Sequence, residues 1–192
     1  MAAISFSGNY SQNFDSLASS GTGVAWSNGS TLAGWNLFRQ PAPGTAIAAY
    51  SASDGGSNAG SFYSYGTGSS SDRALGGLGS GGTYFGSPGS GSVAGWIAFG
   101  ATNATGADIG SITLAFDGEQ WRNANTSAQT MALSYGFGAS FDTVGSWTPA
   151  TGMYIGAASR ARSFTRHIPD IISKRRLRRG TLTRCENGNE TR

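Results

Sequence analysis

The sequence is poor in the residues on which most catalytic and metal sites depend. It has one cysteine, Cys185, and one histidine, His167, and only 12% of its 192 residues are charged. A single cysteine cannot form an internal disulfide, and with one histidine it cannot supply the four ligands of a structural zinc site. A histidine-based catalytic triad is not expected either, because His167 lies in a basic C-terminal region. We therefore predict no catalytic residues and no metal ligands.

Long apolar runs are also missing. No segment approaches the 18 or more apolar residues of a membrane-spanning helix, so we predict no membrane span. The first residues, MAAISFSGNYSQNFDSL, have neither the basic n-region nor the apolar h-region of a secretory signal. No signal peptide is therefore visible in this chain.

Glycine and aromatic residues are abundant, and their arrangement indicates an all-β fold. The chain has 31 glycines, without the three-residue period of collagen, together with ten Phe, seven Tyr and five Trp. Short strand-like segments alternate with turn-forming residues, and no helical pattern separates them. Such a pattern is typical of a β-sandwich or a β-barrel. The segments are TLAGWNLFRQ, TAIAAYSA, SFYSYG, RALGGLG, VAGWIAFGATN, GSITLAFDGEQWRN and AQTMALSYGFGA.

Two of these segments alternate clearly enough to predict their faces. Apolar residues occupy every second position, so one face of each strand should lie against the core. The opposite faces are small and polar, which fits either exposure to solvent or the close approach of a loop or ligand. The residues predicted to face the core are Ile112, Leu114, Phe116, Met131, Leu133, Tyr135 and Phe137.

Charge divides the chain into two parts. Residues 1–152 contain three arginines and seven carboxylates, a net charge of −4, whereas residues 153–192 carry ten Lys or Arg against three carboxylates, a net charge of +7. We predict a β-sandwich domain over 1–152 and a basic, weakly structured tail over 153–192, because the tail has too few apolar residues to form a core. The run from Lys174 to Arg179, KRRLRR, resembles a nucleic-acid patch, but no aromatic platform accompanies it. Nucleic-acid binding is therefore not expected.

The most polar stretch of the domain is DGEQWRN, which contains Asp117, Glu119, Trp121 and Arg122. Carboxylates beside an indole suit a sugar-binding face, and paired carboxylates could also serve a glycosidase. The third interpretation is a structural clamp in which these charges pair with those of SDRALG. Because the domain has only three cations, we favour the clamp. The candidate pairs are Glu119 with Arg73, which we favour, or Asp72 with Arg122. Glu119 and Arg122 should then be at least partly buried.

No cofactor is expected, although the sequence leaves calcium open. Four aspartates stand in loop-like contexts beside glycines whose carbonyl groups could join them as ligands. No EF-hand or glycine-aspartate repeat is present. The four residues are Asp54, Asp72, Asp108 and Asp142.

Five separated motifs occur in order within residues 8–148: YSQNFDSLASSGTG, STLAGW, YSASDGGSNAGSFYSYG, SSDRALGGLGSG and GEQWRN. Together they resemble a family of β-sandwich modules from secreted and surface-anchored bacterial proteins. Members of this family often carry a PEP-CTERM-type sorting tail, or accompany lamin-tail or endonuclease/exonuclease/phosphatase modules.

The resemblance implies a two-sheet, antiparallel, jelly-roll-like β-sandwich outside the cytoplasm, without a catalytic role of its own. Family members begin after a signal peptide and continue past the region of Trp147 into further strands. Here an Arg-rich tail takes that place, and it resembles the product of a shifted reading frame or a degenerate end. A sandwich that lacks its last strands would have unpaired edges. The function that the resemblance implies is surface association or weak binding of glycan or another cell-surface polymer. The alternative is an accessory domain of a secreted hydrolase or nuclease, separated from its catalytic module.

Overall fold

The computed structural model shows an all-β protein, as the sequence predicts. The structure describes residues 3–39, 45–88, 93–122, 129–156, 162–168 and 181–189. Within these ranges the regular elements are strands and one short 3₁₀-helix, Phe141–Thr143. The strands are β1 (Ile4–Phe6), β2 (Val24–Ala25), β3 (Trp35–Arg39), β4 (Thr45–Ala46), β5 (Ala49–Ser53), β6 (Ser61–Tyr65), β7 (Ala74–Leu78), β8 (Val93–Asn103), β9 (Ile112–Gly118), β10 (Gln129–Phe137), β11 (Trp147–Gly156), β12 (Arg162–Ile168) and β13 (Thr181–Asn189).

The strands form the two layers of a β-sandwich. One layer is a seven-stranded sheet in the order β11-β10-β13-β8-β3-β4, with β1 paired to β8. Two smaller sheets pack against it, the four-stranded sheet β2-β5-β6-β7 and the two-stranded sheet β12-β9. The pairing is mainly antiparallel, with parallel pairs at β1–β8 and β5–β6. The prediction of a two-layer, mainly antiparallel sandwich is confirmed.

The main core lies between the large sheet and the four-stranded sheet. Leu37 of β3 and Ile97 of β8 are register partners, and both belong to the same buried cluster as Phe62 of β6. The loop after β7 contributes to this cluster, because Phe85 packs edge-on against Phe62 with ring centroids 5.1 Å apart. The hydroxyl of Tyr84 accepts a hydrogen bond from the backbone of Ala49. Tyr84 and Phe85 therefore anchor this Gly-rich loop to the core.

A second apolar cluster forms where the sheet β12-β9 lies beside β10. Leu133 is buried together with Ala150, and Leu114 and Phe116 of β9 pack against them. The predicted alternation of β9 is confirmed, because Ile112, Leu114 and Phe116 are half-buried while the intervening side chains are exposed. In β10, Met131 and Tyr135 are half-buried, as the same prediction requires.

The prediction was wrong for Phe137, which is 39% exposed. The opposite face of β10 is closed at this end of the strand, because a Cβ at Gly136 would contact Val144 and Trp147. Nearby, Phe141 of the 3₁₀-helix stacks on Phe38 with ring centroids 4.4 Å apart. Apolar burial therefore shifts to the outer face of the large sheet at this point, and Phe137 remains uncovered.

The basic region predicted as a tail contributes strands to both layers. The predicted boundary at residue 152 falls inside β11, which pairs with β10. β13 pairs with both β8 and β10, and β12 pairs with β9. Cys185 therefore lies in the large sheet and His167 in the small one, while the run 174–179 lies outside the described residues. The division of the chain into a domain and a dispensable tail stays a prediction.

None of the helical structure in the described ranges is long and apolar enough to span a membrane.

Candidate functional site

The candidate site lies where the segment after β9 meets the turn that follows β5. β9 ends at Gly118, so residues 119–122 leave the strand. A Cβ built at Gly55 would overlap the carbonyl oxygen of Trp121, and Gly55 has a φ of +94°. The close approach of the two segments therefore depends on a glycine at position 55.

Arg122 fixes this contact through backbone carbonyl groups. Its Nη1 donates to the carbonyl oxygens of Gly55 and Gly56, both at 3.2 Å. The carbonyl oxygen of Arg122 in turn accepts a hydrogen bond from the side-chain amide of Gln120 at 3.1 Å. Arg122 is half-buried, as predicted, but its partners are backbone groups instead of Asp72. Asp72 is exposed, and its backbone amide donates to the hydroxyl of Ser70.

Trp121 is a half-buried indole fixed at one face and at one edge. It stacks on Tyr65 with ring centroids 6.1 Å apart and an angle of 6° between the planes. Its Nε1–H donates to Oε2 of Glu119 at 2.7 Å. Because Trp121 is half-buried, part of its side chain remains exposed to solvent.

The predicted pair between Glu119 and Arg73 does not form. The prediction that Glu119 is partly buried was wrong, because its side chain is exposed and its carboxylate accepts a hydrogen bond from Trp121. Arg73, in contrast, is 3% exposed. The guanidinium of Arg73 points into the sandwich, where Nε donates to the hydroxyl of Ser64 at 2.9 Å and Nη2 to the carbonyl oxygen of the same residue. Alternation along β6 explains this, because Ser64 shares the inward face with Phe62, while Tyr65 faces the other way.

The remaining predicted residue, Asp117, is exposed at the end of β9. The structure thus brings Glu119, Trp121 and Arg122 to one site, with Asp117 adjacent in the chain. It places Arg73 on the opposite side of the four-stranded sheet, and Asp72 two residues before β7.

Sequence reasoning missed Tyr65, whose ring stacks on the indole of Trp121 and supports it. Tyr65 is 8% exposed, and burial raises the pKa of its hydroxyl. The neighbouring Tyr63 raises this pKa further, and the positive charge of Arg122 opposes both effects. The signal was present in SFYSY, because period-two alternation places Tyr63 and Tyr65 on one face.

The described residues offer no ready cation site. They contain no group of three His, Cys, Asp or Glu side chains that could hold a metal ion. Two of the aspartates considered for calcium interact locally: Asp54 accepts from the amide of Gly56, and Asp142 accepts from the hydroxyl of Ser140.

Comparisons of the chain with protein-family models, with curated proteins and with solved structures find no match in any of the three.

Proposed function

We propose that this β-sandwich is a non-catalytic, extracellular module that associates with cell-surface polymers by binding glycan weakly at Trp121 and Glu119. The observation that carries the proposal is the 2.7 Å hydrogen bond from the indole Nε1–H to the exposed Glu119 carboxylate. A flat apolar surface next to a hydrogen-bond acceptor is the combination that sugar rings and their hydroxyl groups require.

The contacts that hold the indole of Trp121 in place support this function. The stack on Tyr65 and the bonds from Arg122 to Gly55 and Gly56 hold the segment in place before any ligand arrives. A prearranged site loses less conformational entropy on binding than a mobile one. The resemblance to modules of secreted and surface-anchored proteins supports the extracellular location.

Glu119 distinguishes a ligand-binding face from a structural clamp. Its side chain is exposed, and its one described hydrogen bond is to Trp121 two residues away. Removing a surface side chain of this kind changes the free energy of unfolding by less than about 0.5 kcal/mol. Removing a residue that clamps the two sheets together would lower the free energy of unfolding by several times that amount.

The test combines a binding measurement with a stability measurement on the full chain. Binding to a panel of neutral and charged oligosaccharides is measured by calorimetry for the parent, Glu119→Ala and Trp121→Ala. We expect Glu119→Ala to lose binding while it melts within about a degree of the parent. Trp121→Ala should also lose binding. In addition, its free energy of unfolding should fall by about 0.5–1.5 kcal/mol, because the ring stack on Tyr65 is lost.

The matched control is Phe137→Ala, which removes an exposed aromatic ring from β10, on the other layer. This variant should bind as the parent does. Glycan binding that survives in Trp121→Ala, or no binding to any oligosaccharide of the panel, would refute the proposed function.

A further inference from the structure

The sequence contains four dipeptides in which an aspartate or an asparagine precedes a glycine. In such a pair the backbone nitrogen of the glycine can attack the side-chain carbonyl carbon, because glycine has no Cβ to hinder the approach. The product is a succinimide ring, which water then opens. The four pairs are Asn28–Gly29, Asp54–Gly55, Asp117–Gly118 and Asn187–Gly188.

Two of the pairs lie in paired strands, which opposes this reaction. Asp117–Gly118 lies at the end of β9, in register with Ser163 and Arg162 of β12. Asn187–Gly188 lies in β13, which pairs with β8 and β10. An extended backbone held by a partner strand has to leave the sheet before the side chain can reach the next backbone nitrogen.

The third pair, Asn28–Gly29, is held by hydrogen bonds to other parts of the fold. Oδ1 of Asn28 accepts from Nε1 of Trp26 at 2.7 Å and from the backbone amide of Leu37 at 2.8 Å. The amide of Gly29 donates to the carbonyl oxygen of Trp35 at 2.7 Å. Cyclisation here would have to break all three bonds, so this pair is protected.

The hydrogen bonds of Asp54–Gly55, in the turn after β5, instead support the attack. The side chain of Asp54 is exposed, and its Oδ1 accepts from the backbone amide of Gly56 at 2.9 Å. Negative charge develops on this oxygen when the carboxyl carbon is attacked, so the donor is placed where it lowers the barrier. The attacking amide of Gly55 donates to the hydroxyl of Ser53 at 3.1 Å, which provides an acceptor for its proton.

Arg122 strengthens the donor that faces the carboxyl group. Its Nη1 donates to the carbonyl oxygen of Gly55, which belongs to the same peptide group as the amide of Gly56. Hydrogen bonds in series polarise one another, so the Gly56 amide becomes a better donor. Glycine is also required at position 55, because a Cβ there would overlap the carbonyl oxygen of Trp121. The reactive pair is thus a consequence of the contact that forms the candidate site.

We propose that Asp54 is a site of spontaneous isomerisation to isoaspartate in the folded protein. A bond forms between the nitrogen of Gly55 and Cγ of Asp54, and the C–OH bond of the protonated carboxyl group breaks. The hydroxyl group leaves as water with the proton of the Gly55 amide. A second water molecule then opens the ring at the main-chain carbonyl carbon of Asp54, so that the peptide chain continues through the side-chain carbonyl group. Water is the only other reactant.

Isomerisation would separate the two segments of the candidate site. Isoaspartate adds one methylene group to the main chain between Asp54 and Gly55, a lengthening of about 1.5 Å. The carbonyl oxygens of Gly55 and Gly56 lie 3.2 Å from Nη1 of Arg122, at the long end of the range for hydrogen bonds. A displacement of this size breaks both bonds and releases the segment that contains Trp121. The candidate site therefore has a lifetime that is set by the chemistry of one turn.

The experiment follows isoaspartate at each position of the full chain during incubation at mildly acid pH and physiological temperature. Proteolytic peptides are analysed by mass spectrometry with electron-transfer fragmentation, which distinguishes isoaspartate from aspartate. Asp117 is the matched control within the same chain, because it also precedes a glycine. Isoaspartate should accumulate faster at Asp54 than at Asp117. Asp54 should react at least as fast in the folded protein as in denaturant, whereas Asp117 should react faster in denaturant.

Two variants test the assigned contacts. Ser53→Ala removes the acceptor of the Gly55 amide and should slow isomerisation at Asp54 about twofold to tenfold, the effect of one neutral hydrogen bond on a barrier. Asp54→Glu is the unreactive control, because its longer side chain would have to close a larger and less favourable ring. The Nε1–H signal of Trp121 should move in the NMR spectrum of the parent as isoaspartate accumulates, and it should stay in place while Asp54→Glu ages.

Equal rates at Asp54 and Asp117 in the folded protein would overturn the proposal. Slower reaction of Asp54 in the folded protein than in denaturant would also overturn it, because the turn would then protect the aspartate. An unmoved Trp121 signal in protein that carries isoaspartate at position 54 would overturn the link to the candidate site. None of these measurements uses a ligand, so the proposed glycan function is tested separately.

Discussion

The guanidinium of Arg73 is bound to Ser64 inside the sandwich, and to no carboxylate of the described residues. Its Nε donates to the Ser64 hydroxyl at 2.9 Å, and the described residues give its Nη1 no partner. The backbone amide of Arg73 donates to Asp15 at 3.2 Å. A buried cation of this kind makes the strand pair β6–β7 sensitive to the loss of any acceptor.

Ser64→Ala is expected to lower the free energy of unfolding by about 1.5–3 kcal/mol, because it removes an acceptor from a buried charged group. Urea denaturation measures the change. Glu119→Ala serves as control and should stay within about 0.5 kcal/mol of the parent. A loss in Glu119→Ala as large as the loss in Ser64→Ala would show that Glu119 also has a structural role.

Gly55→Ala should destabilise the protein and disrupt the site. The new Cβ would overlap the carbonyl oxygen of Trp121, in addition to the cost of a φ of +94° for an L-residue. Gly106→Ala is the matched control, since Gly106 has a φ of +80° but no atom within 4 Å of its added Cβ. We expect a loss of about 1–2 kcal/mol for Gly106→Ala and a larger one for Gly55→Ala, measured by urea denaturation. Equal losses would mean that the two segments do not pack as described.

Alkaline pH should destabilise the fold through Tyr65. Its pKa is raised in the folded state, so its stabilising contribution is complete below about pH 10, the ordinary tyrosine pKa, and is lost as the pH rises through the folded value. The test is a titration that follows tyrosine ionisation by phenolate absorbance in the parent and in Tyr65→Phe. In the folded proteins the two absorbance curves should coincide up to about pH 11, whereas in denaturant the variant should titrate one tyrosine fewer. A smaller native signal in Tyr65→Phe below that pH would show that Tyr65 ionises normally.

Acid pH should destabilise the fold through Asp142, whose pKa is lowered in the folded state. The hydroxyl of Ser140 donates to its carboxylate and lowers its pKa, and a backbone hydrogen bond lowers it further. Its stabilising contribution is therefore present above about pH 4, the ordinary aspartate pKa, and is lost as the pH falls through the lower folded value. Carboxyl NMR titration of Ser140→Ala should show the pKa of Asp142 moving up towards its ordinary value. An unchanged pKa in this variant would exclude Ser140 as the main cause.

The elements with clear periodicity were predictable from the sequence, because alternation reports directly on burial. β9 shows this best, with Ile112, Leu114 and Phe116 on the covered face. Phe137 was mispredicted because alternation cannot show that the face containing Gly136 is closed by Val144 and Trp147. That closure depends on the path of the chain after β10.

The composition of the candidate site was predictable, but its pairing was not. The stretch from 117 to 122 stands out in a chain with few charges, and the half-buried position of Arg122 was predicted correctly. The predicted pair between Glu119 and Arg73 was wrong, because a small number of cations does not determine on which side of the sheet each cation lies. Ser64, not a carboxylate, lies on the same side as Arg73.

The most direct test of the account is the indole N–H resonance of Trp121 in ¹⁵N-labelled protein during titration with the oligosaccharide of the panel that binds the parent protein most tightly. The account predicts a saturable shift of the Trp121 Nε1–H signal and of the amide signals of Gly55 and Gly56. The indole signals of Trp26 and Trp35, which donate to Asn28 and Tyr10, should stay in place. A saturable response elsewhere in the protein, with the Trp121 signal unmoved, would contradict the central claim that Trp121 and Glu119 form the ligand-binding face.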